Sequence, residues 1–350
     1  MIKSEQDIFV SFKLALNFSD DRTYFVDATS NETVVDAALR HNIMLPVDCR
    51  EGVCGTCRAQ CVSGDYRLDY VHPETVSQDD LAGGAVLCCQ MYAKTDCVIH
   101  FDLDSSLVAS RAQNAPSALK KAIVRQITHV SDAVAILDME LEAGGTLDYL
   151  PGQYAHLQVP DTKVWRSYSF ATAPATGFLR FIIRLLPSGE MSDYLRTRAR
   201  IGDVLDMEGP FGVFYLRRLT RPVLFVAGGT GISAFLGMLD TLRGVDQPAH
   251  PITLLYGVTH SQDFCEMERL QAFSAAIPGF RFRTIAVNAA PEWTGRRGVV
   301  TDLLQDDDFH VDGTDMYICG PPPMVNAVQD IIRQKGLANV HLYTEKFAAS

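Results

Sequence analysis

The spacing of apolar and polar positions changes twice along this chain and divides it into three stretches. In the first, Ile8, Val10, Phe12, Leu14 and Leu16 alternate with other side chains, the period-two pattern of a half-buried strand. The turn residues Asp20-Asp21-Arg22 and the run Thr23-Tyr24-Phe25-Val26 complete a hairpin. Thr29-Ser-Asn-Glu32 has the form of a capping box, and Val34, Val35, Ala38 and Leu39 behind it lie on one stripe of a helix. Pro46 ends that segment, and Cys97-Val-Ile-His-Phe101 reads as a closing strand.

The second stretch holds short strand-like runs at 122–130, 134–141, 154–159, 167–171, 178–183 and 204–207, separated by turn residues. Six such runs predict a six-stranded antiparallel β-barrel. A single helix is predicted over 192–200 with Ser192 as its N-cap. In the third stretch strands and helices alternate: 223–227, 232–242, 252–258, 263–277, 280–287, 316–319 and 322–335. That alternation predicts a doubly wound parallel sheet with ligands at the carboxyl ends of its strands. Module boundaries follow at 1–104, 119–216 and 217–350, with the small and polar residues 105–118 as a linker.

Composition narrows the class. A chain of 350 residues with 47% hydrophobic and 21% charged side chains is ordinary and globular, and its length suits two or three domains. No run approaches 18 apolar residues, so no membrane span is expected. The polar start Met1-Ile-Lys-Ser-Glu-Gln-Asp lacks a signal-peptide core, which makes the expected location the cytoplasm. In a reducing compartment, nine cysteines argue for metal or redox use over a disulfide framework. Charge is uneven. Residues 1–104 carry 17 acidic and 8 basic side chains; the other 246 residues carry 25 and 23. An acidic first module suits steering toward a basic protein patch as well as solubility, and it speaks against binding nucleic acid.

Within that acidic module stands Cys49-Arg-Glu-Gly-Val-Cys-Gly-Thr-Cys57, followed by a further thiol at Cys88 or Cys89. Three cysteines at C-x4-C-x2-C and one about thirty residues later match the plant-type [2Fe–2S] spacing. Gly52 and Gly55 fit a loop whose backbone N–H groups approach sulfur closely. Zinc is the competing reading, but zinc sites favour two short cysteine pairs, which would leave Cys49 surplus. On extended backbone only one of Cys88 and Cys89 points inward. Cys61 and Cys97 read as buried small hydrophobes.

Arg166-Ser-Tyr-Ser169 places Arg166 and Tyr168 on one face of a strand and Ser167 and Ser169 on the other. A cation, a flat ring and a hydroxyl suit a flavin nucleotide; a solvated arginine on a barrel is the plainer alternative. Gly152-Gln-Tyr154, Gly189-Glu-Met-Ser192 and Glu208-Gly-Pro-Phe-Gly212 flank the segment in order, the second at a helix start that can hold phosphate. In the third stretch, Gly228-Gly-Thr-Gly231 lies at a strand end and opens a helix, a candidate pyrophosphate cradle short of the full dinucleotide fingerprint. Cys319-Gly-Pro-Pro-Pro-Met324 forms another strand-to-helix turn that points its thiol into the same crevice; a buried strand-end thiol is the bland reading. After Tyr256-Gly257 the chain offers Asp263 and Glu266 and no Lys or Arg up to residue 266, which favours NADH over NADPH.

The cysteine segment and Leu87-Cys-Cys-Gln90 resemble the ferredoxin module of benzoate/toluate/anthranilate dioxygenase reductases. The ordered motifs behind them resemble the flavin and nicotinamide domains of the ferredoxin–NADP reductase superfamily. The resemblance implies a β-grasp ferredoxin domain with Cys49, Cys54, Cys57 and Cys89 as cluster ligands. It further implies Arg166, Tyr168 and Ser169 at the flavin, Gly189 and Ser192 at its phosphates, and Gly228, Gly229, Thr230, Gly231, Cys319 and Gly320 at the nicotinamide cofactor. Ser169, Cys319 and Glu345 are the implied catalytic group, with Phe347 covering the flavin face. FAD is the implied flavin, although phthalate-type relatives use FMN. The implied partner is a terminal Rieske non-haem iron oxygenase component acting on an aromatic carboxylate, served by a monomeric reductase. Two other readings stand beside this one: the reductase of a soluble di-iron monooxygenase of phenol hydroxylase type, and a zinc-binding sensor with an inert flavin.

Overall fold

The computed structural model describes residues 11–73, 75–108, 119–243, 250–337 and 339–347. It divides between Ser117 and Ala118 into two compact units.

In the first unit β1 (Ser11–Phe18) and β2 (Thr23–Thr29) form the expected hairpin, followed by helix α1 (Val34–Arg40). After the cysteine loop come β3 (Arg58–Ser63), β4 (Tyr66–Leu68), α2 (Gln78–Ala82), β5 (Ala85–Leu87), β6 (Met91–Ala93) and β7 (Cys97–Phe101). The sheet order is β2-β1-β7-β3-β5, with β7 parallel to β1, and the chain thereby closes a β-grasp around its own middle. Leu14, Leu16, Phe18, Val26 and Ala28 are buried, as are Val34, Val35, Ala37 and Ala38 of α1.

Three local expectations change here. Thr33 caps α1 in place of Thr29, its hydroxyl accepting from Asp36 N at 3.2 Å; Glu32 still reaches back to Thr29 N at 2.7 Å. Leu39 is 46% exposed, and Ala37 occupies the buried stripe with Ala38. The linker starts later than residue 105, because buried Ser105 donates through N and Oγ to Asp20 at 3.2 and 2.7 Å. The rest of the expected linker, 109–118, lies outside the described residues, as do Ile8 and Val10.

The second unit begins with β8 (Lys120–Ser131), β9 (Val134–Leu141), β10 (Tyr154–Gln158), β11 (Trp165–Ser169), β12 (Leu179–Arg184), α3 (Glu190–Asp193) and β13 (Val204–Phe211). These six strands pair antiparallel in the order β11-β10-β13-β8-β9-β12, and the outer strands β11 and β12 return into contact. Val124, Leu137, Met139, Leu157, Phe170, Phe181 and Met207 fill the interior. The predicted strand at 167–171 sits two residues earlier. The predicted helix 192–200 starts at Glu190 with Gly189 as its cap and widens into a π-turn over Tyr194–Arg198. Ser192 therefore lies within the first turn, where its Oγ accepts from Leu186 N at 2.9 Å and not from its own helix.

The remaining elements are β14 (Val223–Gly228), α4 (Ile232–Leu242), β15 (Ile252–His260), α5 (Met267–Ala276), β16 (Phe280–Asn288), β17 (Arg296–Arg297), β18 (Thr314–Gly320), α6 (Pro322–Gln334) and β19 (Val340–Lys346). Their sheet, β17-β16-β15-β14-β18-β19, is parallel throughout. Val223, Phe225 and Ala227 pack with α4 and α5 on one face, and Leu224 and Val226 with α6 on the other. Layers on both faces explain why these strands read as unbroken apolar runs.

Helix α5 starts at Met267, later than the expected 263, because the chain breaks at Glu266 (φ +58°). The cause is a buried ionic network between barrel and parallel sheet. Arg180 holds Asp138 at 2.7 and 2.8 Å and Glu266 at 3.0 and 3.2 Å, while Arg269 bridges Glu266 and Asp240. Arg180→Ala leaves Asp138 without its cation and Glu266 with Arg269 alone, and is expected to lower stability by about 3 kcal/mol in urea unfolding. A loss below about 1 kcal/mol would put the network in the class of solvated surface pairs.

Candidate electron-transfer sites

The cysteine loop is shaped by left-handed backbone at Arg50 (φ +57°), Gly52 (φ +75°) and Gly55 (φ +78°). A Cβ on Gly52 would collide with the Tyr70 carbonyl oxygen. Gln90 ties the loop to the strand behind it: its Nε2 donates to Arg50 O at 2.8 Å, and its Oε1 accepts from Tyr70 N at 3.2 Å. The residue types gave no sign of this role for Gln90.

The thiols fall into two pairs. Cys49 and Cys54 hydrogen-bond each other, and so do Cys57 and Cys89. The hydrogen bond from Cys54 lowers the Cys49 thiol to about 5, and that from Cys57 lowers Cys89 to about 7. Backbone N–H groups add to this, Glu51 donating to Cys49 Sγ at 3.3 Å and Cys89 to Cys57 Sγ at 3.5 Å. Cys88 is fully buried among core residues, and burial pushes its thiol up. Among the described residues no three His, Cys, Asp or Glu side chains converge on one ion. Two thiol pairs ringed by N–H donors fit a two-iron cluster, with two sulfurs for each iron, better than tetrahedral zinc. Gly52→Ala is expected to leave the protein without its cluster, read as iron and acid-labile sulfide content; full content would show that the loop yields at Tyr70.

The second site lies where the parallel sheet meets the barrel. Parallel pairing of β18 and β19 sets Cys319 beside Glu345, and Phe347 N donates to Gly320 O at 2.9 Å. Ser169, buried at the end of β11, donates to Glu345 Oε2 at 3.4 Å, and the Cys319 thiol donates to the same oxygen at 4.0 Å. Burial and then the Glu345 carboxylate push the Cys319 thiol well up, so it stays protonated. A protonated, buried thiol of this kind suits a hydrogen-bond donor and not a nucleophile. Ser169, Cys319, Gly320, Glu345 and Phe347 thus come together from three strands.

Glycine is demanded where two strand-to-helix turns cross. A Cβ on Gly231 would strike the Cys319 carbonyl, and one on Gly228 would strike Met324. Gly229 and Thr230 form the tip of that turn, partly open to solvent. Arg166 and Tyr168 share one face of β11, Arg166 donating to the Trp165 carbonyl at 2.8 Å. Gly189 takes φ +152° at the start of α3 with space around its Cβ position.

Asp263 is engaged by the barrel. Its Oδ1 accepts from Ser131 Oγ of the barrel at 2.7 Å, and His260 Nδ1 stands 3.5 Å from Oδ2. Glu266 is likewise committed to Arg180 and Arg269. Both acids that suggested ribose recognition are therefore latches to the barrel. Thr259, His260, Asn288 and Ala289 are the residues at the carboxyl ends of β15 and β16.

Residues 17–94 match the 2Fe-2S iron-sulfur cluster binding domain family, 121–215 the oxidoreductase FAD-binding domain and 225–330 the oxidoreductase NAD-binding domain. With the geometry above, these matches define an iron–sulfur flavoprotein NAD(P)H oxidoreductase. The chain is 44% identical over 345 residues to the anthranilate 1,2-dioxygenase electron transfer component of Acinetobacter baylyi, covering 97% of this chain and 98% of the relative. It is 40% identical to the toluate 1,2-dioxygenase electron transfer component of Pseudomonas putida, covering 97% and 100%. A crystal structure of the Amycolatopsis cytochrome P450 reductase GcoB superposes with a TM-score of 0.68 at 26% identity, over 96% of this chain and 99% of that one. The chain belongs to the family of benzoate-type 1,2-dioxygenase electron transfer components. No helix among the described residues is long and apolar enough to cross a membrane.

Proposed function

We propose that this protein passes electrons from NADH through FAD and a [2Fe–2S] cluster to the Rieske centre of an oxygenase that dihydroxylates an aromatic carboxylate. The observation that carries the reading is the pairing of Cys49 with Cys54 and Cys57 with Cys89, in a chain that also brings Ser169, Cys319 and Glu345 to one point. The bound groups supply hydride acceptance and one-electron exchange. The protein supplies the rest. Cys49 and Cys54 hold one iron, Cys57 and Cys89 the other, and the loop N–H groups stabilise the charge on sulfur. Arg166, Tyr168 and Ser169 hold the flavin, with Gly189 and Ser192 at its phosphates; Ser192 does so through its backbone, since its hydroxyl is engaged with Leu186. Gly228, Gly231 and Gly320 let the two turns pack closely, and Gly229 and Thr230 at the tip, with open space at the Gly229 Cβ position, face the dinucleotide. Glu345 orients the Ser169 hydroxyl and the Cys319 thiol, and Phe347, anchored on Gly320, lies beside them.

The protein works as a monomer delivering electrons to a separate oxygenase. Its acidic first module steers it toward a basic patch there. Anaerobic titration with NADH, followed in the visible, tests the internal chain: flavin and longer-wavelength cluster absorption both bleach. Flavin bleaching alone, with zinc in place of iron, would overturn it. Reconstitution with purified oxygenases tests the outlet. Turnover of an aromatic carboxylate supports it, and turnover with a di-iron monooxygenase alone would refute it.

With no lysine or arginine among residues 258–266 after β15's Tyr256-Gly257, NADH is the expected donor, favoured over NADPH by at least tenfold in kcat/KM. Equal use of the two would overturn that preference.

A further inference from the structure

Two thiols outside the cysteine loop face each other. Cys61 lies on β3 and Cys97 opens β7, and these antiparallel strands carry a bulge between Cys61 and Ser63. The two side chains share one face of the sheet, a diagonal step apart, and hydrogen-bond each other. Cys61 Sγ also reaches the Ser63 carbonyl at 3.4 Å, and Cys97 Sγ reaches the Thr95 and Asp65 carbonyls at 3.3 and 3.6 Å. Gly64 passes over the pair with φ +103°, and a Cβ there would stand 2.7 Å from Cys97 Sγ. Both cysteines are nearly buried, at 8% and 2% exposure, yet the turns at 63–65 and 94–96 that cover them are exposed. Packing alone asks for two small hydrophobes at these positions. It does not ask for two sulfurs in contact under a thin cover.

We propose that Cys61 and Cys97 form a redox modification site, which a peroxide converts to a disulfide stapling β3 to β7. The Cys61 sulfur attacks one peroxide oxygen; an S–O bond forms, the O–O bond breaks, and the leaving oxygen departs as water. The Cys97 sulfur then attacks the sulfenic sulfur of Cys61; the S–S bond forms, the S–O bond breaks, and a second water leaves. Two thiols give up two electrons and two protons to one hydrogen peroxide. The Cys97 hydrogen bond lowers the Cys61 thiol and raises its own, which makes Cys61 the attacking sulfur and Cys97 the resolving one. The bridge closes a loop over residues 62–96 that contains Cys88, Cys89 and Gln90. It therefore joins the two ends of the segment bearing the fourth proposed cluster ligand, and only this consequence rests on the function proposed above.

The test treats the full-length protein, cluster and flavin bound, with hydrogen peroxide, blocks remaining thiols and maps peptides without reduction. A peptide linked through Cys61 and Cys97, two hydrogens lighter than its parts and released by dithiothreitol, is expected. Cys97→Ser is expected to trap a dimedone adduct on Cys61, and Cys61→Ser to give neither product. Cluster bleaching without the 61–97 peptide, or a bridge that uses other cysteines, would overturn the site. The bridged form is also expected to surrender iron to a chelator several-fold more slowly than the reduced form. Equal rates would remove the stapling role, whatever the peptide map gives.

Discussion

Cys57→Ser is expected to reduce NADH-dependent cytochrome c reduction about 100-fold or more, while reduction of ferricyanide, which can draw directly on the flavin, stays within about twofold of the parent. Cys57 is 3% exposed, accepts the Cys89 N–H and is paired with the Cys89 thiol. A serine oxygen at that position is a harder, poorer ligand and removes half of the buried pair. The less buried pair, Cys49 and Cys54, then has no second iron to share. The two activities separate because the cysteine loop and the flavin barrel belong to different compact units of the chain. Equal loss of both activities would mean that flavin chemistry depends on an intact cluster domain. Visible spectra and iron content distinguish that outcome from simple misfolding.

Glu345→Ala is expected to slow anaerobic flavin reduction by NADH about 100-fold with FAD and cluster content unchanged. One carboxylate oxygen, Oε2, accepts from both Ser169 and Cys319, one at the end of a barrel strand and one at the end of a sheet strand. Without it the hydroxyl and the thiol lose their common acceptor, and neither is held toward the crevice. Glu345→Gln keeps an acceptor oxygen and is expected to lose much less. This ranking identifies a positioning role, since a merely structural strand would show similar losses for both. A Glu345→Ala rate within about threefold of the parent would reduce β19 to a cover on the crevice.

The three modules are legible in local physics. Alternation every second residue, then short turn-bounded strands, then strand–helix alternation are consequences of which faces each element buries, and each is written in the order of side chains. The C-x4-C-x2-C spacing carried its chemistry in the same way, because a loop that wraps a cluster needs its thiols and glycines close in sequence. Where reading failed, the deciding contact was distant. Strand geometry left Cys88 and Cys89 with equal claims and the family resemblance pointed to Cys89; the fold buries Cys88 among core residues and turns Cys89 to Cys57. Asp263 and Ser192 have the residue types of ligands, but their oxygens are engaged by Ser131, 132 residues away, and by the loop at Leu186. The Ser169–Glu345 contact, across 176 residues, was reached through the family resemblance and not from residue spacing. The modules, their order and the thiols available for a cluster are written in near-neighbour patterns along the chain. Tertiary structure alone decided which of two equivalent side chains faces a site, because that choice belongs to the partner strand.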